Sequence, residues 1–85
     1  MNNKLEIYKK KLIYRAGYRG TKEMDILLSS FVNKYINDLE EKDLNELDEF
    51  LKFEDETISN YYYYDIVNNN IDKNRMSLIF KKFKP

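Results

Sequence analysis

The fold turns on Tyr14-Arg15-Ala16-Gly17-Tyr18-Arg19-Gly20-Thr21-Lys22-Glu23-Met24-Asp25. Gly17 and Gly20 are the only glycines among 85 residues, so backbone freedom is confined to this one stretch. A glycine weakens a helix by about 1 kcal/mol relative to alanine, and its bare Cα lets other backbone come close. Upstream, Leu5, Tyr8, Leu12 and Ala16 recur at helical spacing with Ile13 beside them, which predicts a first helix over residues 4–16, ended by Gly17. Downstream, Met24, Leu27, Leu28, Phe31, Val32 and Tyr35 share one apolar face and predict a second helix over residues 21–36. Glu23 falls in its first turn, where a negative charge suits the positive end of the helix dipole. The quoted stretch is therefore a helix-to-helix corner carrying two arginines, with a carboxylate one turn further on. Such a corner has the makings of a docking surface.

The apolar period continues. Leu44, Leu47, Phe50 and Leu51 predict a third helix over residues 41–53, with Leu39 as a loop anchor before it. Glu54 or Asp55 can cap a short fourth helix that carries Ile58, Tyr61 and Tyr62, and Asn68-Asn69-Asn70 closes it or the turn beyond. Met76, Ile79, Phe80 and Phe83 predict a fifth helix from about residue 72. No alternating strand pattern competes over a useful length, and the single Pro85 is terminal. The expected fold is all-α, a bundle of five short helices forming one domain over residues 1–85, monomeric when free.

Composition narrows the function. There is no cysteine and no histidine, which removes disulfides, thiolate chemistry and imidazole-based metal sites. Ser29, Ser30, Ser59 and Ser77 have no histidine base, and neither a glycine-rich phosphate loop nor a paired-acid metal motif is present. An enzyme would have to rest on Glu23 and Asp25 as acid and base, without a cofactor motif to support them. No apolar run approaches the roughly 20 residues of a membrane span, so a soluble, intracellular protein is expected, without membrane insertion. Charge is zero overall but unevenly spread. Residues 1–22 carry a net +6, residues 23–72 a net −11 and residues 73–85 a net +5. Such asymmetry can orient an encounter with a charged partner.

Spacing offers two accounts of the corner. In one, Gly20 starts the second helix, Glu23 sits in its first turn and Arg19 is solvated. In the other, Glu23, four residues past Arg19, holds the guanidinium in a fixed direction, and a held fork recognises a carboxylate or phosphate. Asp25 lies on the other flank of the apolar stripe and either faces a partner or merely caps. Tyr61 to Tyr64 span about 300° of helix, so they cannot all be buried; Tyr61 and Tyr62 belong with Ile58 in the core, and the others are free to form an aromatic surface. Lys9, Lys10 and Lys11 with Arg15 and Arg19 admit an alternative reading, a small helical nucleic-acid-binding regulator using the basic first helix. The second and third helices are acidic outside their apolar stripes, which speaks against it.

Arg19-Gly20-x-x-Glu23 followed by Met24-Asp25-Ile26-Leu27-Leu28 and Phe31, then Leu44-x-x-Leu47-x-x-Phe50-Leu51 and Asp55-x-x-Ile58-x-x-Tyr61, resembles the small flavinylation factors that assemble succinate dehydrogenase, the bacterial SdhE proteins and their mitochondrial relatives. The resemblance covers residues 8–64. Tyr18 departs from it where many members carry another arginine, and Tyr61 where a tryptophan is usual. The resemblance implies a non-catalytic assembly factor. It would bind the flavoprotein subunit of succinate dehydrogenase, with fumarate reductase as a second candidate, and promote covalent FAD attachment without itself holding FAD stably. It further implies a partner-binding site at Arg19, Gly20, Glu23 and Asp25, with Arg15 and Tyr61 in support. The expected location is the bacterial cytoplasm, or the mitochondrial matrix if the gene is organellar.

Overall fold

A computed structural model describes residues 3–85 as five α-helices: α1 (Asn3–Gly17), α2 (Lys22–Tyr35), α3 (Glu41–Leu51), α4 (Asp55–Tyr64) and α5 (Arg75–Lys82). Short 3-10 turns at Ile36–Asp38 and Ile71–Lys73 lead into α3 and α5. The helices pack round one apolar cluster. Phe31 of α2 is its hub, with ring centroids 5.9 Å from Phe50 of α3, 5.1 Å from Phe80 of α5 and 5.4 Å from Phe83, all edge-on. Edge-to-face rings place the positive rim of one against the negative face of the next. Around this hub α1 lies on α2 and α3, while α5 lies on α3 and α4.

Local chemistry explains the helix ends. Thr21 opens α2 by accepting a hydrogen bond from the Met24 N–H at 3.2 Å, and the side chain of Asn74 opens α5 by accepting from the Ser77 N–H at 2.9 Å. The fifth helix accordingly starts at Arg75, later than the apolar period suggests, because Ile71–Lys73 form a separate tight turn after the left-handed Asn70. The third helix stops at Leu51, two residues short of the expected end. Neither Glu54 nor Asp55 caps α4 with its side chain, which corrects that expectation. Asp55 reaches backwards to the α1–α2 corner instead. At the other end of α4, Lys81 donates to the Tyr61 and Tyr62 carbonyls, and Asp65 adopts the left-handed conformation that closes many helices.

Burial follows the apolar stripes with one exception. Every stripe residue of α2 and α3 is in or against the core, but Ile79 of α5 is exposed, and Ile36 and Ile71 from the 3-10 turns are buried in the core.

Candidate functional site

The α1–α2 corner is open to solvent at Gly20 and Thr21 and is braced from beneath. Arg19 does the bracing. Its side chain, only 10% exposed, sends Nε to Asp55 Oδ1 at 2.7 Å and its two terminal nitrogens to the carbonyls of Leu51 and Phe53, each at 2.7 Å. One guanidinium thus satisfies the carbonyl end of α3 and ties it to the first residue of α4. Planar, five-donor geometry makes this possible. Asp55 returns the tie, since its second oxygen accepts the Gly20 N–H at 2.6 Å. Asp25 accepts the Arg19 N–H at 2.5 Å, so both backbone amides at the tip of the corner end on carboxylates.

Two readings of the motif are corrected here. Arg19 is neither solvated nor oriented by Glu23; its partner is Asp55, 36 residues away, and each of its three side-chain nitrogens donates to an acceptor inside the molecule. Gly20 has no positive φ, so its bareness serves close approach and not an unusual turn. A Cβ built there would meet Asp55 Oδ2 at 2.9 Å, and that carboxylate is pinned by Arg19. Gly17 likewise lets α1 end against Ser29 of α2, where a Cβ would stand 3.2 Å from Oγ.

The remaining candidates divide. Glu23 is exposed on the first turn of α2 and has no ion-pair partner among the described residues. It edges a groove of about 380 Å³ between the start of α2 and α4, with Met24, Glu56, Ser59, Tyr63 and Tyr64 among its walls. Burial pushes the Tyr63 phenol above its ordinary pKa, and the Glu23 carboxylate adds in the same direction, which places the two groups in one field. Tyr61 does not join them. It is 5% exposed, under Lys81, whose ammonium lies 5.4 Å from the ring centroid. Burial first, and then the charge of Asp72, holds its phenol above the usual value, with Lys81 pulling the other way. The expected support of the corner by Tyr61 is therefore replaced by Asp55 from below and by Tyr63 and Tyr64 beside it. Arg15 is also committed internally, in an ion pair with Asp48 of α3 that Tyr8 joins by donating its hydroxyl to Asp48 at 3.1 Å.

Spacing along the chain missed Asp55 as the keystone, because its position at the start of α4 offers a local capping role that competes with the distant one. The resemblance includes Asp55 in Asp55-x-x-Ile58-x-x-Tyr61 but does not connect it with the corner.

Fold and corner together define a small all-helical protein in which a half-buried ion pair braces an exposed bend. The chain belongs to the family described as flavinator of succinate dehydrogenase, which it matches over residues 10–84. The match runs on through α5, beyond the resemblance read up to residue 64. Relatives named succinate dehydrogenase assembly factor 2, mitochondrial, include one from Scheffersomyces stipitis, 38% identical over an alignment that covers 91% of this chain and 52% of the relative. One from Debaryomyces hansenii is 31% identical over 91% of this chain and 55% of the relative, and one from Drosophila grimshawi 38% identical over 59% and 34%. The chain thus spans about half, or less, of the length of the curated relatives it matches. No solved structure matches it.

Proposed function

We propose that this protein binds the flavoprotein subunit of succinate dehydrogenase through the α1–α2 corner and promotes covalent attachment of FAD to that subunit. The observation that carries the reading is the exposed Gly20 backbone, braced by hydrogen bonds among Arg19, Asp55 and Asp25. A surface locked before contact loses little entropy on docking, so more of the contact energy appears as affinity. Glu23, unpaired at the edge of the adjacent groove, supplies a charged contact, and Tyr63 and Tyr64 supply aromatic ones.

The role is that of a helper and not a catalyst. With neither histidine nor cysteine, the chain lacks imidazole and thiol groups, which suits a helper, and its contribution is to hold the partner while the bond forms. Positioning of reacting groups can remove about 7 to 11 kcal/mol from a barrier in favourable cases. FAD is inserted into the partner and is not held stably here; fumarate reductase is a second candidate partner. The relatives are named as mitochondrial, which supports the matrix over a bacterial cytoplasm. Family membership does not favour the nucleic-acid alternative.

The direct test mixes apo flavoprotein subunit with FAD, with and without this chain, and follows flavin fluorescence on a denaturing gel. The fluorescent band should grow faster with the chain present and lose that advantage with Glu23→Lys, an exposed substitution that leaves the Arg19–Asp55 brace intact. Equal bands with and without the chain would overturn the reading.

A further inference from the structure

Helix α1 presents a second apolar stripe on the side opposite its buried face. Leu12 and Ala16 point into the core, whereas Ile7 is 54% exposed, Tyr14 63% and Tyr18 70%. Tyr18, just past the last helical residue, stacks on Tyr14 with ring centroids 4.4 Å apart. From Ile7 to Tyr18 the stripe runs about 16 Å. Lys4, Lys10 and Lys11 stand three or four residues from Ile7 and so flank it, and among the described residues none of the three pairs with a carboxylate. Ile7, Tyr14, Lys10, Lys11 and Arg15 line a shallow apolar hollow of about 360 Å³. An exposed aromatic and aliphatic ridge bordered by free cations is unlike an ordinary solvated helix face.

We infer that the flavoprotein partner extends its contact from the corner along this ridge, through a concave apolar strip edged with acidic side chains. The inference rests on the function proposed above and adds the chemistry of the partner's surface. Continuity is the first reason: Tyr18 directly precedes Arg19 and Gly20, so a molecule seated on the corner already overhangs the stripe. Charge is the second, because unpaired lysines beside an apolar ridge call for carboxylates beside an apolar groove. Other occupants fit less well. A second copy docked ridge to ridge in a two-fold pair would bring like charges together. An anionic bilayer would meet only three apolar side chains, and residues 23–72 of the same molecule carry a net −11 that opposes approach.

The test compares three variants with the wild-type chain for binding to purified apo flavoprotein subunit by biolayer interferometry. All alter exposed residues, and each is checked for an unchanged helical circular-dichroism spectrum. Ile7→Ser with Tyr14→Ser should weaken binding by about tenfold or more, mainly through faster dissociation. Lys10→Glu with Lys11→Glu should slow association by about tenfold at low salt, a difference that shrinks as salt is raised. Glu23→Lys reports on the corner alone. If both stripe variants bind like wild type while Glu23→Lys does not, the ridge assignment falls and the corner stands. If the wild-type chain fails to bind the flavoprotein, both fall. Ridge-dependent dimerisation in sedimentation, or ridge-dependent binding to phosphatidylserine vesicles, with flavoprotein affinity unaltered by the stripe variants, would assign the ridge to another occupant and overturn the inference.

Discussion

Arg19 illustrates how much a single side chain can join. Nε and both terminal nitrogens reach acceptors on three different residues, in a fork that an ammonium cannot reproduce. Arg19→Lys keeps the charge but leaves at least one of the Leu51 and Phe53 carbonyls without its donor. Loss of charged hydrogen bonds in this half-buried setting should lower stability by about 2 kcal/mol, seen as an earlier urea midpoint. An unchanged midpoint would mean that the brace contributes nothing. That backbone freedom was concentrated at Gly17 and Gly20 was legible from the chain, since the two glycines sit nowhere else. Which acid holds the guanidinium was not. Glu23 is four residues away and Asp55 thirty-six, and spacing along a chain ranks only the near one.

Among the elements, the interiors of the helices were readable and their ends were not. Stripes such as Leu44, Leu47, Phe50 and Leu51 repeat with the helical period and are buried as expected. The ends depend on which side chain wins the orphan amides and carbonyls. Asn74 is the clearest case. Its oxygen accepts from the Ser77 N–H while its nitrogen donates to the Glu46 carbonyl at 2.9 Å, so one buried amide both starts α5 and fastens it to α3. Asn68, Asn69 and Asn70 carry the same side chain just upstream, so the chain alone did not single out Asn74. Asn74→Ala removes a cap and a long-range bond together and should cost about 2 kcal/mol, measured as a lower thermal midpoint. Asn74→Asp, which retains the accepting oxygen, should recover part of that loss.

At the level of the whole molecule, α1 is tied to α3 through Asp48. Burial alone would raise the Asp48 pKa, but hydrogen bonds from Arg15 and Tyr8, together with the Arg15 charge, outweigh it and hold the carboxyl below its ordinary range. A carboxyl whose pKa is lower in the folded than in the unfolded chain adds stability that is full above the unfolded value, near 3.8, and is lost as pH falls through the folded value. Urea midpoints followed from about pH 6 down to pH 2 should therefore decline, and Asp48→Asn should be less stable at pH 6 and show a shallower decline. Parallel curves for the two proteins would show that Asp48 is not a source of the acid sensitivity. In a domain of this size the total margin is only about 5 to 15 kcal/mol, so one such tie weighs visibly.

What could be read along the chain were the five-helix all-α architecture, most of the core and the location of the corner. Each depends on a local quantity, either the period of apolar residues or the scarcity of glycine, that a short window displays. Folding settled the rest: Asp55 under Gly20, Asp48 beside Arg15, Tyr61 turned away beneath Lys81 and an apolar ridge left outward on α1. Those outcomes depend on which distant acid or apolar face the folded chain brings to van der Waals distance. Coulomb attraction and burial act through space, and no spacing between neighbours in sequence records it.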